Sequence, residues 1–308
     1  MNDRAKSFVK EFLTQGPGPW GTDQKEVPVR HHYWFDRAGA LALLLSLPAL
    51  ALSAPQATLD DGEPAASQVR PAPYWPDGRV NLDAAPGEKG FWNVMRGSVV
   101  GTGGTSLPTN LELDEVPFQD WARDLYEYRQ SRNGLDDPHA RCFPAGGMRF
   151  FTVPNGLNIV DQPELDRMFF ISGENRDWRR IAMEPGRGHP PADQLIPSYF
   201  GDSIGWWEGE TLVVDTVGFN ERFWMIRGGL PHTRYLHLIE RFTRIDYDTL
   251  RYEVTIDDPG AYTEPWNGGW LIPWQTVNYD NSPGGEIHEY FCHDNERDSE
   301  HFDQQEGR

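Results

Sequence analysis

The stretch Gly201-Asp-Ser-Ile-Gly-Trp-Trp-Glu-Gly-Glu-Thr-Leu-Val-Val-Asp-Thr-Val217 decides the fold class. It opens with Gly201-x-Ser203-x-Gly205, the lettering of a serine-hydrolase nucleophile elbow. An elbow needs a strand before the serine and a helix after it, so that Oγ stands exposed on a sharp turn. Here Trp206-Trp207 follow, then a turn at Glu208-Gly209, then the β-branched run Thr211 to Val217. That is strand, tight turn, strand. It points to an antiparallel β-protein and away from an α/β-hydrolase.

Downstream and upstream of this hairpin the same grammar repeats. Strands are expected at 149–153, 157–160, 167–172, 178–183, 203–207, 211–217, 235–246, 249–257, 270–279 and 286–292. Turns separate them at Pro154-Asn155-Gly156, Tyr247-Asp248 and Ser282-Pro283-Gly284-Gly285. Eight to ten sequential strands with short links predict a mainly β fold, as an up-and-down barrel or a sandwich. A barrel has no exposed edges, and a small one can hold one ligand. No repeat of fixed period is visible, which disfavours a propeller.

One helix is expected, over 116–132. Pro117 suits a first helical position, and Phe118, Trp121, Ala122, Leu125 and Tyr128 keep helical spacing. Gly134 suits its stop. Residues 58–110, rich in Pro, Ala, Asp and Gly in their first part, read as a linker or extended arm. Gly101-Thr-Gly-Gly-Thr105 is a loop without the context of a phosphate cradle. Residues 1–57 read as an N-terminal extension carrying a signal-like segment. Arg30 and Arg37 precede the apolar run Ala38 to Ala54, and Ala51-Leu-Ser-Ala54 resembles a cleavage site. The run is shorter than the roughly 20 residues of a membrane span, and Pro48 interrupts it. The expected domains are therefore 1–57, 58–110 and a single β domain at 111–308, in a periplasmic or secreted protein.

Composition narrows the partners. The 308 residues carry a net charge of −19, which disfavours nucleic acid and anionic membrane surfaces. Lysine is confined to Lys6, Lys10, Lys25 and Lys89, so Schiff-base chemistry would rest on Lys89 alone. The two cysteines, Cys142 and Cys292, suit a disulfide in an exported chain; free thiols or a cysteine nucleophile are the other readings. They have no CxxC spacing, and no histidines form H-x-x-x-H or H-E-x-x-H, so neither a metal nor a cofactor is expected.

Candidate chemistry comes from strand parity, because alternate side chains face opposite sides. Glu240 shares a phase with Leu236, Leu238 and Phe242, Asp215 with Val213 and Val217, and Glu289 with Ile287 and Phe291. A carboxylate on an apolar face is costly unless paired. Either these groups pair with arginine (Arg241, Arg149 or Arg179) or cap backbone, or they line a barrel interior as acid, base or anchor. His189, in Gly188-His-Pro-Pro191, and His232, in Leu230-Pro-His-Thr233, occupy loops ahead of strands, where a histidine can serve as general acid or base. Surface or structural histidine is the competing reading. Twelve tryptophans are more than a core of this size needs, and Trp207, Trp224, Tyr262 and Trp266 suit a pocket for a flat or apolar small molecule.

Several motifs carry a resemblance. Trp207-Glu-Gly-Glu-Thr-Leu-Val-Val-Asp-Thr-Val-Gly-Phe-Asn220, Pro231-His-Thr233, Glu240-Arg-Phe242, Thr255-Ile-Asp-Asp-Pro259, Ala261-Tyr-Thr263 with Pro265-Trp266, and Arg141-Cys142 with Cys292 resemble a large group of exported bacterial proteins without a settled activity. The match spans about residues 136 to 301. It implies export and a lipocalin-like fold, hence an antiparallel lipocalin-like β-barrel of 8–10 strands with one N-terminal helix. Trp206 departs from it, standing where the group carries Arg.

Together these readings predict a cofactor-independent acid–base enzyme of the lyase, decarboxylase or isomerase type, acting on an apolar or aromatic molecule in a barrel pocket. His232 and Glu240 would exchange protons, Asp215 would orient, and Arg241 would clamp an anion. Parity puts Arg241 and Glu240 on opposite faces, so a regular strand cannot turn both inward. The alternative is a non-catalytic periplasmic binding protein, distinguished by whether the pocket holds a His–carboxylate pair in hydrogen-bond reach. A structural protein with a filled barrel and a serine esterase using Ser203 follow.

Overall fold

The computed structural model describes residues 69–295 apart from 96, 176, 278–283 and 289. The signal-like segment, the first part of the arm and Glu289 lie outside the described residues. Among the described residues no helix is long and apolar enough to cross a membrane.

The fold is mainly β. Nine strands, β1 (Phe91–Trp92), β2 (Leu157–Gln162), β3 (Arg167–Ser172), β4 (Trp178–Ala182), β5 (Asp202–Glu208), β6 (Thr211–Val217), β7 (His237–Arg244), β8 (Thr249–Asp257) and β9 (Trp266–Gln275), pair in sequence order into a sheet that closes on itself as a ring. β1 makes the closure: Trp92 pairs with Leu157 of β2 and with Trp274 of β9. All neighbours are antiparallel except β4 and β5, which run parallel and share one residue pair, Ala182 with Ile204. The β5–β6 hairpin turns in two residues between Glu208 and Thr211. Its first turn residue, Gly209, has φ +63°, a conformation that a type II′ turn gives to glycine.

β7 and β8 alternate strictly between buried and part-exposed positions, so one face of each looks into the ring. The interior is filled. A 3-10 turn, Gly147–Phe151, enters it with every residue buried. The Phe151 ring lies 5.6 Å from Phe170 of β3, 5.2 Å from Phe242 of β7 and 5.0 Å from Tyr252 of β8. This segment was expected to be a strand at 149–153. Gly146-Gly147 opens it with φ +54° at Gly147, and the consecutive residues Met148, Arg149, Phe150 and Phe151 are then all buried, which a half-buried strand does not do.

The helix α1 spans Asp120–Ser131, shorter than the expected 116–132, and buries Ala122 and Tyr126 while Trp121 and Tyr128 are exposed. The described part of the arm is no free linker. Val80, Leu82, Val94, Val99 and Leu107 are buried, and Phe91–Trp92 is the strand that shuts the ring. Trp92 Nε1 donates to Leu82 O at 2.7 Å, and Gly269 of β9 donates its N–H to Asn110 Oδ1 at 2.7 Å. Of the expected strand 286–292, the described residues form only a bridge between Tyr290 and Glu174, then a short helical turn, Cys292–Asn295. Cys142 and Cys292 sit at disulfide distance, with Cα atoms 5.5 Å apart.

Candidate functional site

Two polar groupings meet near the one parallel seam. The first faces outward. Asp202 opens β5, Asp215 lies on β6 and His237 opens β7, and the 183–201 connection lays His189 across them. His189 Nδ1 faces Asp202 Oδ1 at 2.8 Å, and its Nε2 faces Asp215 Oδ1 at 3.0 Å. The same Asp215 oxygen accepts from His237 Nε2 at 2.7 Å. Arg187 Nη2 closes the other end on Asp202 Oδ2 at 2.8 Å. The result is one chain, Arg187–Asp202–His189–Asp215–His237, with all five side chains partly exposed.

The charges in this chain reinforce one another. Burial raises the Asp215 carboxyl, but the hydrogen bonds from His237 and His189 outweigh it and hold it below the usual carboxylate range. Asp202 is likewise lowered: burial opposes, and His189 and Arg187 prevail. The Asp215 hydrogen bond lifts His237 above the usual histidine value against burial. A neutral imidazole has one N–H, so His189 donates to one aspartate when neutral and to both when protonated.

The second grouping faces into the ring. Glu240 of β7 is 0% exposed and pairs with the Arg179 guanidinium of β4, itself 1% exposed. Tyr252 donates to Glu240 Oε1 at 2.9 Å. Arg179 also donates from Nε to Ser203 Oγ at 3.0 Å and from Nη2 to Thr216 Oγ1. Arg179 Nη1 is buried with no hydrogen-bond partner among the described residues.

A cleft of about 620 Å³ lies at the seam. Strands that share one residue pair diverge on either side of it, and a parallel connection must cross over instead of turning tightly. Its walls are Arg167 and Phe169 of β3, Asp177 through Arg180, and Ser198 with Phe200 through Ser203. Asp202 therefore belongs both to the cleft and to the outward chain, and Arg179 and Ser203 to the cleft and the inner cluster.

The expected site residues separate. Asp215 and His189 come together; Glu240 is with Arg179 instead. His232 is 8% exposed, with Nε2 3.0 Å from Phe223 O and Nδ1 3.3 Å from Thr233 O, its ring 4.2 Å from that of Phe223. Burial lowers its pKa to about 4, so it is a neutral buried ring at neutral pH. Pro231-His-Thr233 acts as a lock: Tyr262 donates to Pro231 O, and Thr233 donates from N and Oγ1 to Asp258. Arg241 points outward and bonds Glu208 Oε2 at 2.7 Å. Trp224, Tyr262 and Trp266 are buried in the core and Trp207 packs partly against it; none of the four lines the cleft. Ser203 sits within a strand, bonded to Arg179 and Thr216, not on an elbow.

Asp215 was expected in phase with buried valines, and Val213 is indeed buried, but Asp215 lies on the outer side. Leu212, Val214 and Thr216 are buried on the other phase, so β6 is covered on both faces and parity alone could not choose. His237 was missed because its only signal is its register near Asp215, set by β6–β7 pairing of Asp215 with Ile239. No family model, curated protein or solved structure matches this chain.

Proposed function

We propose that this chain is an exported, cofactor-independent acid–base enzyme acting on a small aromatic molecule at the β4–β5 seam. The observation that supports it best is the His189 imidazole bridging Asp202, which lines the cleft, and Asp215, which holds His237. A proton taken from a substrate by the Asp202 carboxylate passes to His189 Nδ1. His189 releases its Nε2 proton to Asp215, which stays bonded to the His237 Nε2–H and, 21% exposed, passes the proton to water. Lyase, decarboxylase and isomerase reactions need such proton movement and no electron carrier. The resemblance to exported bacterial proteins supports the location, and strand order around the ring supports a lipocalin-like barrel as scaffold. The net charge of −19 supports a small-molecule partner over nucleic acid or a membrane.

The test is incubation of the purified protein with aromatic acids in D2O, followed by mass spectrometry. The expected result is conversion or deuterium uptake by one compound, slowed about 100-fold in His189→Gln. A compound that binds and is returned unlabelled and unchanged overturns this reading in favour of non-catalytic ligand binding.

A further inference from the structure

The seam-facing edge of β4 carries backbone groups that the sheet leaves unpaired. Two hydrogen bonds fix the phase of β3 and β4: Ser172 N donates to Asp177 O at 2.9 Å, and Met183 N donates to Asp166 O at 2.7 Å. Peptide groups along an antiparallel strand alternate between its two sides. Asp177, Arg179, Ile181 and Met183 therefore direct theirs to β3, and Trp178, Arg180 and Ala182 turn theirs to β5. Of these three, only Ala182 pairs with a β5 residue, Ile204. The N–H groups of Trp178 and Arg180 have no hydrogen-bond partner among the described residues. Gly201 accounts for the gap, because its φ of +65° turns the chain off the strand path just before Asp202. Arg179 and Ser203 line the cleft although their side chains turn inward, so the cleft reaches down to the strand backbones.

Parallel register sets Arg180 opposite Asp202, each two residues before the Ala182–Ile204 pair. One wall thus offers a carboxylate and the other a free N–H. Trp178, 58% exposed, and Phe169, edge-on to it at 5.8 Å, supply ring surface on the same outer face. We propose that the Arg180 backbone N–H is an oxyanion donor, and that the substrate is an aryl carbonyl compound with a hydrogen on its α-carbon. This inference rests on the acid–base reading of Asp202. Asp202 takes the α-proton, the C–H electron pair becomes the new carbon–carbon π bond, and the carbonyl π pair moves onto oxygen. That oxygen accepts from Arg180 N–H, a donor fixed in place before the charge develops. Return of the proton to the same carbon or to a conjugated one completes exchange or isomerisation with no redox partner.

The experiment has two readouts on the full chain. One is binding of 4-nitrophenolate, a stand-in for the enolate, against 4-nitroanisole, which cannot become an anion. The other is deuterium exchange into phenylacetone in D2O, read by mass spectrometry. Arg180→Ala keeps the N–H and sets the reference. Arg180→Pro removes it, and proline is tolerated at a strand edge where the N–H points away from the ladder. The phenolate is expected to bind at least about tenfold more tightly than the anisole. Relative to Arg180→Ala, Arg180→Pro is expected to weaken the phenolate about tenfold or more and to slow exchange about 100-fold. If Arg180→Pro does not fold, lactic acid in place of alanine at position 180 removes the same N–H as an ester. Equal phenolate affinity with and without the N–H, or no preference for phenolate over anisole, overturns the donor assignment. Exchange at one rate with and without the N–H overturns this inference and leaves the acid–base reading standing. Phenolate binding that depends on the N–H, with no exchange in phenylacetone, overturns the acid–base step and leaves the donor assigned.

Discussion

Glu240 and Arg179 form an ion pair inside the ring, reaching from β7 to β4 with side chains 0% and 1% exposed. The pair spans the strands on both sides of β5 and β6 and gathers Ser203, Thr216 and Tyr252 around it. Removing one partner strands the other charge without water. Glu240→Ala is expected to destabilise by about 3–5 kcal/mol in urea denaturation, whereas Arg179→Met with Glu240→Met together cost far less. Equal losses in the single and double variants would show that packing, not charge, governs the position.

His232 is expected to act through stability. Its folded pKa, about 4, lies below the ordinary 6.5, so the unfolded chain takes up a proton first as pH falls. Its contribution is undiminished above pH 6.5 and is lost between 6.5 and 4, by roughly 3 kcal/mol at most. His232→Gln should be less stable at pH 7.5 and lose less than the wild type over that window. An unchanged pH slope would refute the assignment.

Glu174 works in the opposite sense. Burial raises its carboxyl to about 7 and that of Asp177 to about 6. A carboxyl raised in the fold contributes fully below its unfolded pKa, and that contribution is lost as pH rises through the folded value. Glu174→Gln keeps an acceptor for Asn155 Nδ2, which lies 2.7 Å away, and should raise stability at pH 8 by about 1–3 kcal/mol. No gain at pH 8, measured by thermal melts, counts against it. The His232 and Glu174 windows overlap with opposite signs, so each appears most clearly as a variant-minus-wild-type difference.

The disulfide closes a separation of 150 residues, for which chain entropy predicts about 5 kcal/mol. Neither cysteine lies in the nine strands, and β1 closes the ring without them. Reduction should therefore lower the urea midpoint while far-ultraviolet circular dichroism in the absence of urea stays that of the oxidised protein. Collapse of the β signal on reduction alone would show that the bridge is needed to hold the ring.

Much of the sheet was legible because its residues obey local rules. β6 and β8 match their expected spans, Thr211–Val217 and Thr249–Asp257, since β-branched runs bounded by Glu208-Gly209 and by Asp258-Pro259 admit little else. Glu240 was legible as a carboxylate on an apolar face, with pairing to arginine as one of two readings; the structure pairs it with Arg179 inside the ring. β1 was not legible: two residues become a strand only because β2 and β9 leave edges for them. The 149–153 segment misled because a run of Arg149-Phe-Phe reads equally as strand or buried turn.

By itself the sequence determined the β class, the hairpin at Gly209, the helix that follows Pro117 and the isolation of Arg241 from Glu240, since these follow from local propensity and a two-residue period. Tertiary structure alone decided that Phe151 fills the ring, that Asp215 faces outward, and that the parallel seam opens a cleft. It also decided that a loop histidine, His189, bridges aspartates from two strands. Those outcomes depend on long-range register and on which face each neighbour covers, and neither is written in any stretch shorter than the whole sheet.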